Sequence, residues 1–269
     1  MKIGIAQLNS NDNIQDNFNQ IKSIILKAQA EKPKIIIFPE NALFFRIDQY
    51  SKVQSVSLND NCITDLKNVC AQAQISIHFT TAIEENGKVY NASVLIDTNH
   101  NATVVYKKIH LFDIDLAGQA PIRESDVFVH GSDPAVLNLE DFKIGSSICY
   151  DIRFSELYSV YAKAEVDIIL VPAAFLVKTG QAHWEVLLRA RAIESQCYVI
   201  ASAQSGIHAS TEHQLSRETY GHSMIIDPWG EVKAVRADGV GIIFAEVNRN
   251  LIEHVRKQIP MRNHRRIDF

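Results

Sequence analysis

No run of apolar residues in this chain approaches the ~20 that a membrane-spanning helix needs, so no contact with a membrane is expected. Basic residues are also short: 27 Lys and Arg stand against 31 Asp and Glu, a formal charge of −4. A nucleic-acid protein would ordinarily carry a basic face. The one basic cluster, Arg262, His264, Arg265 and Arg266, reads as a solvated end or an intersubunit contact. Cysteines are few. Cys62, Cys70, Cys149 and Cys197 form no CxxC and no Cys/His pair at zinc-finger spacing, which argues against a structural metal. The opening MKIGIAQLN has one Lys and no long apolar segment before NSNDN, so no secretory leader is expected. A reduced, cytoplasmic protein with mostly buried thiols follows. A glycine-rich phosphate loop is missing too, so neither cofactor nor metal is implied. With no Pro/Gly/Ser linker, repeat or low-complexity tract, residues 1–269 are expected to form a single domain.

What is present is an alternation of short β-branched runs with amphipathic stretches. Lys2–Leu8 reads as a strand, and Asn13 can cap a helix with Ile14, Phe18, Ile21, Ile25 and Ala28 on one face. A buried strand follows at Ile35–Phe38, stopped by Pro39. A helix near Cys62–Ala73 leads to a strand over Ile75–Ile83, and Glu85-Asn86-Gly87 turns it into Val89–Ile96 as a hairpin. In the second half, strands are predicted at Lys143–Cys149, Asp167–Val171 and Tyr198–Ala203. Helices are predicted near Ser155–Ala164 and Ala182–Ser195. Further strands near Ser223–Ile226, Glu231–Val235 and Gly241–Val247 precede a last helix over Asn250–Ile259. Strands interleave with helices but hairpins interrupt the series, which suggests two mixed sheets, stacked and covered by helices.

Four places carry chemistry. Cys149 follows a short β-rich run with two serines and precedes a turn and helix. There a nucleophile is held out of the sheet, with the next N–H free for an oxyanion. A buried small hydrophobe is nevertheless the commoner fate of such a cysteine. A thiol of pKa about 8.5 also needs a base or a cation beside it. Glu40 ends Ile-Ile-Ile-Phe-Pro-Glu, a carboxylate at the tip of a buried strand with Pro39 fixing its approach. Tyr106-Lys107-Lys108-Ile109-His110 ends another β run, and one of its lysines could face a developing oxyanion, though Lys pairs also serve as solvated strand edges. Glu124 lies in a polar connection.

Together, FPE, YKKIHLF, RES and CYDIRF, in this order, resemble the nitrilase superfamily of carbon–nitrogen hydrolases. The likeness continues through GQAHWEVLLRARAIESQCYVIASAQSG, YGHSMIIDPWG and the terminal HRR. The second half is most similar to the branch of amidases that hydrolyse deaminated glutathione. The resemblance implies an α/β fold, a four-layer αββα sandwich of two mixed sheets flanked by helices, that forms a homodimer or a higher homo-oligomer through helices. It also implies Glu40 as general base, Lys108 rather than Lys107 as the lysine, Glu124 as a second glutamate and Cys149 as nucleophile. Where relatives read RFPEL, this chain has Arg153-Phe154-Ser155-Glu156-Leu157. Losing the proline removes preorganisation at a helix start, though Ser is a good cap.

These residues fit amide hydrolysis through a thioester, the oxyanion being held by Lys108 and the Tyr150 N–H. The expected partner is a small-molecule amide substrate bearing carboxylates. Arg153 is a candidate anchor because a guanidinium grips a carboxylate bidentately, and Thr179 and His183 lie in a segment that could shape the pocket ahead of the long helix. His110 and His222 read as hydrogen-bonded structural residues, Arg189 and Arg191 as an ion-pairing face, and Trp184 and Trp229 as packing. Rival readings are an ω-amidase acting on 2-oxoglutaramate or 2-oxosuccinamate, an N-carbamoyl or nitrile hydrolase, a papain-like enzyme with a Cys/His pair, and a catalytically silent binding member of the fold.

Overall fold

The structure, a computed structural model, describes residues 1–47, 52–115 and 121–267. In chain order the first part runs β1 (Lys2–Gln7), α1 (Ile14–Ala28), β2 (Ile35–Ile37), α2 (Asn61–Ala73), β3 (Ser76–Glu85), β4 (Lys88–Ile96) and β5 (Ala102–Lys107), then the short β6 (Asp113–Ile114) and β7 (Ile122–Arg123). The second part begins with β8 (Ala135–Leu139), β9 (Phe142–Ser146), α3 (Ser155–Lys163), β10 (Ile168–Leu170) and α4 (Val177–Ser195). It continues with β11 (Tyr198–Ala201), β12 (Ser205–Ala209), β13 (Ser216–Tyr220), β14 (Ser223–Ile226), β15 (Val232–Arg236), β16 (Gly241–Glu246), α5 (Arg249–Gln258) and α6 (Met261–His264).

Two six-stranded mixed sheets result, ordered β16-β1-β2-β3-β4-β5 and β15-β14-β11-β10-β9-β8. Each has a parallel centre, β1-β2-β3 in one and β9-β10-β11 in the other, with antiparallel strands outside. Parallel neighbours need crossovers, which α1, α2, α3 and α4 supply. The period of two along each strand then sorts the side chains into layers. Ile3, Ile5, Ile35 and Ile37 meet Ile144, Ile168, Leu170 and Ile200 between the sheets. Ile36 turns the other way onto Phe18, Ile21 and Ile25 of α1, and Ile169 and Val199 turn onto Tyr158 of α3 and Trp184 and Leu188 of α4. Three apolar layers between four structural layers make the αββα sandwich.

Local chemistry explains several boundaries. The Asn13 side chain accepts from the Asp16 N–H at the start of α1. Asn86 and Gly87 both take positive φ, 53° and 72°, the pairing a tight hairpin favours. The strand expected over Lys143–Cys149 stops at Ser146 instead. Asp151 captures the Ile148 N–H at 2.9 Å, and the chain turns at Cys149 into a 3-10 turn over Cys149–Arg153. The long helix expected from Ala182 begins at Val177. Gly180 does not break it: a Cβ there would stand 2.3 Å from Tyr220 Cγ, so the glycine serves close packing. Thr179 and His183 therefore lie on α4, not ahead of it. Ser155 is the first residue of α3, with Phe154 in the cap position and no side-chain cap. Trp184 is buried, but Trp229 is 51% exposed, so its packing role is not observed. Among the described residues no helix is long and apolar enough to cross a membrane.

Candidate active site

Glu40 sits just past β2, where the backbone is pinned on both sides. The Phe38 N–H donates to the His78 carbonyl at 2.7 Å, and Gln204 Nε2 donates to the carbonyl of Glu40 itself at 2.9 Å. Next to it Asn41 takes φ 57° and gives its N–H to Thr80 Oγ1. Lys108 follows β5. Its N–H reaches the Asn91 carbonyl at 2.9 Å, and its carbonyl accepts from the Gly131 N–H at 2.8 Å. A Cβ on Gly131 would fall 2.3 Å from the Lys107 carbonyl oxygen, so only glycine allows that approach. The adjacent lysines part company: Lys107 pairs with Glu85 and lies over the Tyr90 ring, while Lys108 is buried.

Lys108 Nζ stands 2.8 Å from Glu40 Oε1 and 2.8 Å from Glu124 Oε2. Asn91 Nδ2 donates to both carboxylates, each at 2.9 Å, and the Phe112 N–H adds 2.7 Å to Glu124. One ammonium and one amide thus lock two carboxylates in place. Burial works against the Lys108 charge, but Glu124 and Glu40 outweigh it and hold its pKa well above the ordinary lysine value.

Cys149 has φ 47°, a left-handed conformation that costs a non-glycine residue energy and clusters at functional sites. Its N–H is fixed on the Pro172 carbonyl at 2.8 Å. Cys149 lines the same pocket as Glu40, Lys108 and Ala174. Burial and then Glu40 drive the thiol pKa well above normal, with Lys108 and the Ala174 N–H opposing. The resting group is therefore a protonated thiol facing a carboxylate. The Tyr150 N–H is a first-turn donor of the 3-10 turn, which has no acceptor inside that turn.

Asp151, fully buried, anchors this turn. It accepts from Tyr106 Oη at 2.7 Å, the Ile148 N–H at 2.9 Å, the His110 N–H at 3.0 Å and His110 Nδ1 at 2.7 Å. Sequence reasoning missed Asn91. The signal for Asn91 was a polar residue inside the β run Val89–Ile96, where Asn is disfavoured.

Two pockets meet at Cys149 and share Phe112 and Ala174. The larger, of about 620 Å³ open to solvent, is lined by Glu40, Lys108 and Glu124 and also by Arg46 and Arg217, which sequence reasoning did not single out. The smaller, of about 220 Å³, is lined by Tyr150, Arg153 and Thr179. His183 is exposed and meets Arg153 Nη1 through Nδ1 at 3.2 Å. Thr179 Oγ1 donates to the Leu176 carbonyl at 3.1 Å. Arg191 pairs with Glu194 and caps the Ile152 carbonyl, and Arg189 pairs with Glu185. His222 Nδ1 bonds the Tyr220 carbonyl. Among the described residues no group of three His, Cys, Asp or Glu could hold a metal ion.

The sequence model of the carbon-nitrogen hydrolase family matches residues 2–257. The chain belongs to that family. It is 37% identical over 279 residues to a deaminated glutathione amidase of Dictyostelium discoideum, covering 99% of this chain and 94% of the relative. A second deaminated glutathione amidase, from Mus musculus, is 36% identical over 276 residues, covering 99% and 84%. Among solved structures, the NitFhit protein of C. elegans superposes with a TM-score of 0.83 at 32% identity. That match covers 98% of this chain and 65% of the nematode protein. As a carbon–nitrogen hydrolase the chain is an enzyme of amide chemistry, and its sandwich is that of the nitrilase superfamily.

Proposed function

We propose that this hydrolase cleaves the 2-oxoglutaramyl amide of deaminated glutathione, releasing 2-oxoglutarate and Cys-Gly, and that Glu40, Lys108, Glu124 and Cys149 carry the reaction. The observation that carries this reading is the convergence of Cys149, Glu40 and Lys108 on one pocket, with the Glu40 carboxylate locked by Lys108 and Asn91. The substrate rests on the names of relatives similar along nearly the whole chain, and on arginines lining both pockets.

In the proposed mechanism Glu40 takes the thiol proton as sulfur attacks the amide carbonyl. The tetrahedral oxyanion is held by the Lys108 ammonium and the Tyr150 N–H. The C–N bond breaks as protonated Glu40 delivers its proton to the departing amine. Water, deprotonated by Glu40, then opens the thioester, and the proton returns to the sulfur as the acid leaves. Glu124 keeps Lys108 charged and in place. Arg153 and Thr179 take the oxo-acid end of the acyl group, with His183 orienting Arg153. Among the described residues no histidine lines either pocket at Cys149, which weighs against a Cys/His mechanism.

The test is side-by-side hydrolysis of deaminated glutathione and 2-oxoglutaramate by wild type and Cys149→Ala. Wild type is expected to show the higher kcat/KM on deaminated glutathione, and Cys149→Ala to be inactive on both. Retention of most activity by Cys149→Ala would sink the site. A higher kcat/KM on 2-oxoglutaramate would make the ω-amidase reading the better one.

A homodimer formed through the outer helices is part of the same proposal. It is supported by apolar side chains left exposed there: Val160 on α3 at 39%, Val186 on α4 at 69% and Ile193 on α4 at 47%.

A further inference from the structure

Arg217, on β13, has no role in the chemistry above, yet it lines the larger pocket together with Glu40, Lys108 and Cys149. Its guanidinium lies over the Phe45 ring at 5.2 Å, and its Nε is buried without a hydrogen-bond partner. Among the described residues no carboxylate pairs with it. The two carboxylates nearby are already engaged by Lys108 and Asn91. Arg46 lines the same pocket. Burial lowers the basicity of Arg217, Glu40 and Cys149 partly restore it, and Arg46 lowers it further. Arg217 as a whole is only half-buried, but a buried guanidinium N–H without a partner still costs the empty protein stability. That cost is offset when a ligand supplies a carboxylate, which a guanidinium accepts in bidentate fashion.

The two pockets assign that carboxylate to one half of the substrate. Glu40 must hand its proton to the departing nitrogen, and Glu40 lines the larger pocket, so the amine half stands there. The acyl half then lies across Cys149, in the smaller pocket with Arg153 and Thr179. We propose that Arg217, with Arg46 beside it, binds the terminal carboxylate of the leaving half and so makes the enzyme selective for amides whose amine portion is itself an acid. This rests on the reaction proposed above and adds to it a specificity determinant on the amine side.

The experiment compares kcat/KM for deaminated glutathione and for its C-terminal carboxamide, which differ only at that carboxylate. A hydrogen-bonded charge pair corresponds to about a 10–100-fold preference for the acid in wild type. Arg217→Gln is expected to bring the preference close to one, and Arg217→Lys to leave it in between. An undiminished preference in Arg217→Gln would overturn the assignment. Alkylation of Cys149 by iodoacetylglycine against iodoacetylglycinamide probes the same subsite without hydrolysis. Wild type should react roughly tenfold faster with the acid, and equal rates would again overturn the inference. If that alkylation preference holds while deaminated glutathione is not hydrolysed, the anion subsite stands and the proposed substrate fails.

Discussion

At the residue scale, the site keeps its cysteine protonated. Many reactive cysteines are poised as thiolates by a neighbouring cation or helix end. Here burial and Glu40 outweigh Lys108, so ionisation has to accompany attack. The alkylation rate of Cys149 by iodoacetamide is therefore expected to go on rising through pH 9, with no plateau between pH 6 and 9 of the kind an ordinary activated thiolate gives. Lys108 is the residue the lattice can least spare. Lys108→Ala leaves the buried Glu40 and part-buried Glu124 carboxylates uncompensated, at a cost of about 3–5 kcal/mol, and removes an oxyanion donor worth ~10²–10³ in rate; a Tm measurement and single-turnover kinetics check the two effects separately. Two buried histidines add to the acid sensitivity of the fold. Burial lowers the pKa of both His78 and His208 from 6.5 to about 4. Between those values the unfolded chain binds protons that the folded chain refuses. Their contribution is thus intact above pH 6.5 and drains away as pH falls toward 4. His78 nitrogens have no partner, so His78→Leu should flatten the fall of Tm with acid, and an unchanged slope would exclude His78 as its source.

At the element scale, the central strands and first helix were legible because their apolar spacing is unambiguous: Ile35–Ile37 is a parallel core strand, and Ile14–Ala28 has Asn13 at its cap. What could not be read depends on contacts distant in sequence. α4 begins at Val177, five residues before the expected Ala182, and its Gly180 is where Tyr220, forty positions on, packs against the helix. Gly180→Ala should cost about 1–3 kcal/mol through overpacking, measurable as a lower midpoint in denaturant with an unchanged slope. The β12–β13 hairpin went unread because SGIHA and SRETY lack clear alternation, and Arg217 was missed with it. Glu40, Lys108 and Cys149 could be singled out because each closes or follows a β run, and Glu124, in a polar connection, only through the family pattern. Asn91, by contrast, acquires its role only when β4 lies between two carboxylates from separate segments.

At the scale of the whole molecule, the two sheets bring the site together at one end. β2, β4 and β5 deliver Glu40, Asn91 and Lys108 from the first sheet, and β9 delivers Cys149 from the second. The basic tail folds back onto this body: Arg262 pairs with Glu165, and Arg265 Nη2 donates to the Glu194 carbonyl at 3.0 Å. Exposed apolar side chains on α3 and α4 lie on the outside of the sandwich. Val186→Glu is expected to lower the mass seen by light scattering from dimer to monomer, and a wild type of monomer mass would remove that part of the proposal. The central claim, a thioester on a cysteine served by Glu40 and Lys108, is tested most directly by acid-quenching the enzyme during turnover of deaminated glutathione and measuring its intact mass. The expected increment equals one 2-oxoglutaryl group, mapped to the peptide containing Cys149 and absent in Cys149→Ala. Steady turnover with no adduct under single-turnover quench, or an adduct on another residue, would contradict it.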